Sequence, residues 1–145
     1  MPAIYVDPSV LVGSLIKDAN TERGMRLLGS ARTLFFLTEL ANLEILNALE
    51  LAEFRQPAQS ASVVRARTRF KELLSDGLWV AIETDLIRTF QRAQGLSRGH
   101  SRVIGCRSLD ILHVASALEI GARIFWTFDG RQKELARQTG LKVNP

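Results

Sequence analysis

The chain has 145 residues, of which 46% are hydrophobic, with a formal net charge of +4 and one cysteine, Cys106. These values predict a single globular domain over residues 1–145, and they exclude an intramolecular disulfide or a cysteine-rich zinc site. The start shows no signal-peptide pattern and no stretch approaches the roughly 18 apolar residues of a membrane span, so we expect a cytoplasmic protein without a membrane partner.

Short apolar runs alternate with longer segments of helical periodicity. The runs predict strands at residues 3–6, 34–37, 78–82 and 124–128, with an edge strand at 141–143. Predicted helices cover 9–17, 21–31, 39–55, 59–75, 84–95, 109–120 and 131–138, while the Gly-, Ser- and Arg-rich residues 96–105 predict a loop. Continuous apolar strands are typical of a sheet covered on both faces. The order therefore predicts a three-layer α/β/α sandwich with a mainly parallel sheet of four to five strands.

Four acidic residues follow or interrupt apolar runs: Asp7, Glu44, Asp110 and Asp129. A carboxylate placed against a core is costly to bury unless something compensates its charge. The sequence offers few cations close to these positions. A bound divalent cation is the expected compensation, and carboxylate oxygens suit Mg²⁺ or Mn²⁺.

The predicted elements bring these four acids to one edge of the sheet. Asp7 and Asp129 directly follow strands, and ligands of parallel sheets bind at the carboxyl ends of the strands. Thr38 is a candidate N-cap that places Glu44 less than two turns into its helix. Ser108 is a candidate N-cap that places Asp110 in the first turn of a helix starting at the same edge.

Periodicity separates Glu44 from the other acids of its helix. It shares a stripe with Leu40, Leu43, Asn47, Leu51 and Phe54, whereas the remaining glutamates fall on other faces. The apolar residues off this stripe exceed what one core face needs and are candidates for a homodimer surface or partner groove: Ile45, Leu46 and Leu49.

Each acid also has a structural alternative. Asp7 can cap a helix, Asp110 can serve the helix dipole, Asp129 with Gly130 can form a turn, and Glu44 can pair with an arginine. The joint convergence of the four favours a site over these alternatives. His113 lies near the face of Asp110, and we expect it to be packed or hydrogen-bonded rather than a ligand.

Four segments in this order resemble PIN-domain proteins, specifically VapC-type toxins of bacterial toxin–antitoxin pairs: residues 4–12, 43–49, 108–117 and 127–132. The resemblance runs nearly end to end. It assigns Asp7, Glu44, Asp110 and Asp129 to the acidic cluster, with Ser9 and Thr127 in supporting positions. Pro8 departs from the Thr or Ser that is usual there, a minor variation because proline is tolerated at a helix start.

The resemblance implies an endoribonuclease that uses Mg²⁺ or Mn²⁺, with RNA as substrate, a cognate antitoxin as partner and a homodimer as assembly. We expect Asp7 and Asp110 to ligate the metal directly, Glu44 to ligate it or orient the attacking water, and Asp129 to serve a second metal or act through water. The alternatives are an RNA-processing protein without a toxin role and an RNA-binding module with an inactive site.

The positive charge of the chain is carried mainly by arginine, whose planar fork matches phosphate. Arg98, Arg102 and Arg107 lie closest to the acidic edge in the sequence, so they are the candidate RNA contacts. The RNA target, its cleavage sequence and the number of metal ions are left open by the sequence.

Overall fold

The computed structural model of the protein describes residues 3–144 and contains a sheet of five parallel strands. The strands lie in the order β3-β2-β1-β4-β5, and their bounds are β1 Ile4–Val6, β2 Phe35–Thr38, β3 Trp79–Ile82, β4 Ile124–Trp126 and β5 Lys142–Val143. The predicted α/β sandwich is confirmed, with a sheet that is entirely rather than mainly parallel.

The helices within residues 3–144 are α1 Pro8–Leu15, α2 Thr21–Ser30, α3 Glu39–Arg55, α4 Ser60–Ser75, α5 Leu86–Leu96, α6 Arg102–Ile104, α7 Ser108–Glu119 and α8 Gly130–Gln138. A 3₁₀ turn at Pro57–Gln59 separates α3 from α4. Each predicted helix is present, with ends within about two residues of the prediction. In the described part of the chain, none of these helices combines the length and apolar character needed to cross a bilayer.

Side chains of the strands alternate between two cores. Ile4 and Val6 of β1 pack into a cluster with residues of α1 and α3, whereas Tyr5 between them packs on the other side with residues of α7 and α8. Because successive strand residues point to opposite faces, this division shows that the central strand is covered on both sides. Tyr5 is completely buried and stacks on Phe125 of β4 at a centroid distance of 5.2 Å.

The predicted loop at residues 96–105 is wrong, since this segment is helical. A π-helical turn at Ser97–Ser101 continues from α5, and α6 follows it directly. Leu96 and Ile104 pack against the buried cluster beneath α7, and these anchors outweigh the loop-forming composition between them. The helical path ends at Gly105, which adopts a left-handed conformation with φ 76°.

Of the two N-caps predicted at the acidic edge, Thr38 and Ser108, one is confirmed and one is wrong. Thr38 caps α3 as predicted and accepts a hydrogen bond from the Ala41 backbone N at 3.4 Å. Ser108 is not the N-cap of α7. Arg107 takes that position, and the Asp110 carboxylate accepts a hydrogen bond from its backbone N at 3.1 Å. The prediction from the preference for serine at N-caps is wrong here, because the side chain that caps the helix is that of Asp110, the third helical residue.

Candidate metal centre

The predicted edge lies at the point where the strand order reverses. The chain begins in the central strand β1, proceeds to β2 and β3 on one side, and then places β4 and β5 on the other. In open parallel sheets, such a switch point opens a crevice beyond the carboxyl ends of the strands. Asp7 follows β1 directly, and Asp129 follows β4 after two intervening residues.

Asp7 is nearly buried, with 6% of its surface exposed, and its orientation is fixed by three hydrogen bonds. Its Oδ2 accepts from the backbone N of Ser9 at 3.0 Å, from the Ser9 hydroxyl, and from the Thr127 hydroxyl at 3.3 Å. All three bonds use Oδ2, so Oδ1 is the oxygen directed toward His113, 3.9 Å from Nε2. Pro8 occupies the first helical position beside Asp7, where its missing N–H costs nothing.

The two supporting residues join β1 to β4. Ser9 Oγ accepts a hydrogen bond from the Phe128 backbone N at 3.1 Å, in addition to donating to Asp7. Thr127 is completely buried, and its Oγ1 accepts from the Asp129 backbone N at 3.0 Å. Two hydroxyl groups therefore hold the Asp7 carboxylate against the segment that carries Asp129.

Glu44 points from α3 into the same crevice and contacts the Nε2 atom of His113. His113 is 1% exposed, and its Nδ1 lies 2.6 Å from the Tyr5 hydroxyl. That hydroxyl also lies 3.2 Å from Thr38 Oγ1. These contacts form a chain of polar groups that runs from Thr38 at the end of β2, through Tyr5 of β1 and His113 of α7, to the Glu44 carboxylate of α3.

The hydrogen-bond directions in this chain are assigned from the donors and acceptors that its groups offer. Burial raises the pKa of Tyr5 well above its ordinary value, so its hydroxyl keeps its proton. We assign that proton to the shorter contact, with His113 Nδ1, because a neutral imidazole accepts at one nitrogen and donates at the other. Nε2 then carries the ring proton and donates it to Glu44.

Asp7, Glu44 and His113 form what we call the buried triad, in which Asp7 and His113 are buried and the Glu44 side chain is 28% exposed. Their ligand atoms lie within 4.8 Å of one another. Two oxygens on opposite sides of a Mg²⁺ ion are about 4.2 Å apart, since each bond is about 2.1 Å long. The carboxylates of Asp7 and Glu44 are therefore close enough to share a single cation after a small movement, and they are the hard ligands that Mg²⁺ and Mn²⁺ prefer.

His113 is hydrogen-bonded and packed, as predicted, but the sequence did not place it in the site. Its partner Glu44 is 69 residues away in the chain, and Tyr5 is 108 residues away. The available signal was its position three residues after Asp110, on the same face of α7.

Asp110 and Asp129 form a second group, which we call the arginine-bridged pair. Arg107 Nε lies 3.3 Å from Asp110 Oδ2, and its Nη2 lies 3.7 Å from Asp129 Oδ2. The expectation that few cations lie near the four acids is therefore wrong for this pair. The sequence placed Arg107 beside Asp110, but the contact with Asp129 arises only when α8 packs against α7.

The structural alternatives predicted for Asp7 and Asp110 are present together with the clustering, whereas Asp129 caps a helix instead of forming the predicted turn with Gly130. Asp7 is the N-cap of α1, Asp129 accepts a hydrogen bond from Gln132 N at 2.9 Å as the N-cap of α8, and Asp110 lies in the first turn of α7. Three helices thus direct their positive ends at this edge, which favours negative charge there. Glu44 pairs with His113 rather than with an arginine in the described part of the chain.

The remaining candidate residues lie outside these contacts. Arg98 is exposed on the π-helical turn, and Arg102 is exposed at the start of α6. Cys106 is half-buried and its pKa is raised, chiefly by burial and further by Asp110 and Asp129. A raised pKa makes the thiol a poorer nucleophile at neutral pH.

Comparison with known proteins places the chain in a family. The PIN domain family matches residues 4–138. The structure is similar to Mycobacterium tuberculosis VapC20, a Sarcin-Ricin loop cleaving toxin, with a TM-score of 0.67 and 20% identity over 98% of this chain and 99% of that chain. No curated protein matches the chain.

Two further solved structures share the fold. Rickettsia felis VapBC2, solved bound to a DNA fragment from its promoter, has a TM-score of 0.64 and 14% identity over 98% of this chain and 97% of that chain. PAE2754 from Pyrobaculum aerophilum has a TM-score of 0.53 and 14% identity over 98% of this chain and 83% of that chain. The family match extends from β1 to the end of α8 and includes all four acids, and the chain therefore belongs to the PIN domain family.

Proposed function

We propose that this protein is an endoribonuclease that requires Mg²⁺ or Mn²⁺ and hydrolyses RNA phosphodiester bonds. The observation that carries the proposal is the buried triad, whose ligand atoms lie within 4.8 Å of one another at the switch point of a PIN-family sheet. A sequence pI of about 9.8 supports a polyanionic substrate.

Asp7 and Glu44 would hold the metal ion, with Asp110 and Asp129 as further acidic ligands at the same edge. A divalent cation bound there supplies an acidified water and neutralises charge that develops on the phosphate. The protein contributes rigidity. Ser9 and Thr127 fix one oxygen of Asp7, and the contact from His113 holds Glu44 in place.

His113 acts in this proposal as a positioning residue rather than as a ligand. Its Nε2 proton is directed at Glu44, and its Nδ1 is occupied by the Tyr5 hydroxyl. Outer partners of this kind orient metal-binding carboxylates, and their loss typically reduces metal affinity or activity by about 10- to 100-fold.

The RNA backbone would approach the edge over three arginines. Arg107 lies at the acidic edge itself, while Arg98 and Arg102 are exposed on the helical segment that precedes it. Arginine binds phosphate through two parallel hydrogen bonds, and such contacts give affinity without sequence preference.

We further propose that the protein is the toxin of a toxin–antitoxin pair and is neutralised by a small partner. VapC20 and VapBC2, whose folds the chain shares, are a toxin and a complex of that class. A groove beside Glu44 is lined by Pro8, Val12, Asn47, Ala48 and Leu51. It is mostly apolar and ends at the acidic edge, so it fits an apolar antitoxin segment that carries a basic residue at the Glu44 end.

This groove corrects the partner surface predicted from the sequence. Ile45 and Leu49 are completely buried in the core, and only Leu46 of that set is exposed. The exposed apolar residues of α3 lie instead on and beside the stripe of Glu44, with Leu43 64% and Phe54 82% exposed. The stripe of Glu44 and the stripe of Ile45 and Leu49 are both apolar, so the sequence does not show which of them is buried. Packing against β1 and α4 buries Ile45 and Leu49.

A homodimer is the assembly we propose, through an apolar face of α5. Leu86, Ile87 and Phe90 are each more than half exposed there, and Phe90 borders a pocket that reaches Ser108 and Leu112 of α7. Contiguous exposed apolar residues mark interaction surfaces. Replacing Ile87 and Phe90 by aspartate should convert a dimer measured by light scattering into a monomer.

The function is tested by mapping RNA cleavage in cells that express the chain. We expect new 5′ ends and slowed growth, and neither with Asp7→Asn. Cleavage without slowed growth would favour an RNA-processing role and would exclude the toxin. Normal growth and an unchanged RNA population for both proteins would contradict the nuclease as well.

A further inference from the structure

Arg107 holds two carboxylates that come from different helices. Its backbone N donates to Asp110 Oδ2 at 3.1 Å, and its Nε lies 3.3 Å from the same oxygen. Its Nη2 reaches Asp129 Oδ2 at 3.7 Å. One guanidinium therefore occupies the space between two acids that converge on the acidic edge.

The contact is one that can be broken at low cost. The Arg107 side chain is 74% exposed, while the side chains of Asp110 and Asp129 are 10% and 32% exposed. Ion pairs with an exposed partner contribute little to stability, because solvent screens them and the long side chain loses freedom. The carboxylates are fixed by their helices, so the arginine is the mobile partner.

The positive charge of Arg107 interacts with three carboxylates of the acidic edge. Its pKa is raised, chiefly by the hydrogen bond and charge of Asp110 and further by the charges of Asp129 and Glu44. A cation in this position already neutralises part of the negative charge that would attract a divalent ion. Carboxylate and phosphate offer the same paired oxygens to a guanidinium, so the group can leave one for the other.

We propose that Arg107 is an internal counter-cation that competes with the divalent ion for Asp110 and Asp129, and that it transfers to a substrate phosphate when the ion binds. This inference rests on the proposed metal-dependent nuclease. In the protein without the divalent ion, Arg107 contacts Asp110 and Asp129. In the protein with the ion bound, it contacts a phosphate of the RNA backbone.

The competition is tested by titrating the full-length protein with Mn²⁺ and following free Mn²⁺ by electron paramagnetic resonance. Removing two weak ion pairs should lower the Kd of Arg107→Gln about three- to tenfold. Arg131→Gln is the matched control, since it removes one nearby charge that contacts only the Gly105 carbonyl in the described structure, at 3.3 Å. Its Kd should stay within about twofold of the wild type.

An unchanged or higher Kd for Arg107→Gln would overturn the competition while leaving the proposed nuclease intact. That result would show that the arginine only organises the start of α7. If neither the wild type nor Arg107→Gln binds Mn²⁺, both the inference and the proposed function are overturned. A folded state for each variant is established beforehand from its circular dichroism spectrum and Tm.

The transfer to phosphate is tested by RNA binding at saturating Mn²⁺. The probe is a fluorescent single-stranded RNA oligonucleotide with phosphorothioate linkages, which slow hydrolysis; its anisotropy is measured at several salt concentrations, and a gel run afterwards establishes that it is intact. Arg107→Gln should bind more weakly, and the slope of log K against log salt should fall by about 0.7, the value for one phosphate contact in a single strand. An unchanged slope would overturn the transfer, because no phosphate contact would then have been lost.

Discussion

The two acidic groups at the edge are held in opposite ways. The buried triad of Asp7, Glu44 and His113 is fixed from within, since Asp7 is 6% exposed, His113 is 1% exposed, and each has a hydrogen-bond partner on another element. The arginine-bridged pair of Asp110 and Asp129 is joined by a side chain that is 74% exposed. Asp110 is itself buried, with 7% of its surface exposed, so the two groups differ in the partner of their carboxylates, which is buried for the triad and open to solvent for the pair.

This difference indicates that the two groups have different functions in metal binding. A site that must bind a cation with defined geometry benefits from ligands whose rotamers are locked before binding. A side chain that must leave one partner for another benefits when its contact with the first partner, such as an exposed ion pair, contributes little free energy. The triad should therefore determine whether a metal ion binds, and the pair should adjust how tightly it binds. Changes in the triad are accordingly expected to have larger effects.

The largest effect is expected from Asp7→Asn. Asparagine keeps the N-cap of α1 but removes the charge that a divalent ion requires. We expect RNA cleavage to fall by at least about 100-fold, more than a loss of supporting contacts usually costs. Cleavage of a labelled RNA under single-turnover conditions measures this. Asp18→Asn, an exposed aspartate in the α1–α2 connection, is the matched control and should retain full activity.

The next effect concerns the support of Glu44. His113→Leu removes the donor to Glu44 and the acceptor of the Tyr5 hydroxyl, so we expect about 10- to 100-fold weaker Mn²⁺ binding and cleavage. Because both partners are left unsatisfied, the free energy of unfolding in urea should fall by about 1–3 kcal/mol.

His113→Gln distinguishes positioning from simple packing. A glutamine amide can donate to Glu44, so this variant should recover part of the Mn²⁺ affinity. Equal affinities for the Gln and Leu variants would show that the hydrogen bond to Glu44 does not matter. Affinity unchanged from the wild type in both would remove His113 from the site altogether.

A smaller effect is expected from Asp129→Asn in the arginine-bridged pair. Asparagine retains the N-cap bond with Gln132, and the lost charge is partly exposed and already neutralised by Arg107. We expect cleavage to fall about three- to tenfold, consistent with an exposed ion pair rather than a buried ligand. A loss as large as that of Asp7→Asn would place Asp129 among the essential ligands and would end the distinction between the two groups.

The sequence predicted the features that depend on local pattern. Strand and helix order, and hence the carboxyl edge, followed from apolar runs and 3.6-residue periodicity, and Thr38 was recognisable as a cap. Asp7 and Asp129 could be assigned to one edge because each follows the carboxyl end of a parallel strand, directly for Asp7 and after two intervening residues for Asp129.

Features that depend on packing between distant segments were missed. The links of His113 to Tyr5 and Glu44 join α7 to β1 and α3, and no spacing in the chain encodes them. The bridge from Arg107 to Asp129 requires α8 to pack against α7. The helical path of residues 97–104 also depends on tertiary anchors, since Leu96 and Ile104 are held by the core while the residues between them favour a loop.

The smallest effect is expected at the far end of the hydrogen-bonded chain, at Tyr5. Tyr5→Phe leaves His113 packed but removes the buried contacts of the hydroxyl with His113 and Thr38, so the free energy of unfolding should fall by about 1–2 kcal/mol and cleavage only a few-fold. Tyr5 is the only tyrosine in the sequence, so absorbance of tyrosinate at ultraviolet wavelengths reports this residue alone.

Burial raises the pKa of Tyr5, which means that the folded protein binds its proton more tightly than the unfolded chain does. The stability linked to this proton is therefore complete below about pH 10, the ordinary pKa of tyrosine, and is lost as the pH rises above it. In an alkaline titration, tyrosinate should appear together with the loss of circular dichroism, not before it. Tyrosinate in a protein that is still folded would show that the hydroxyl is accessible, and the buried triad would then lack the internal support that separates it from the arginine-bridged pair.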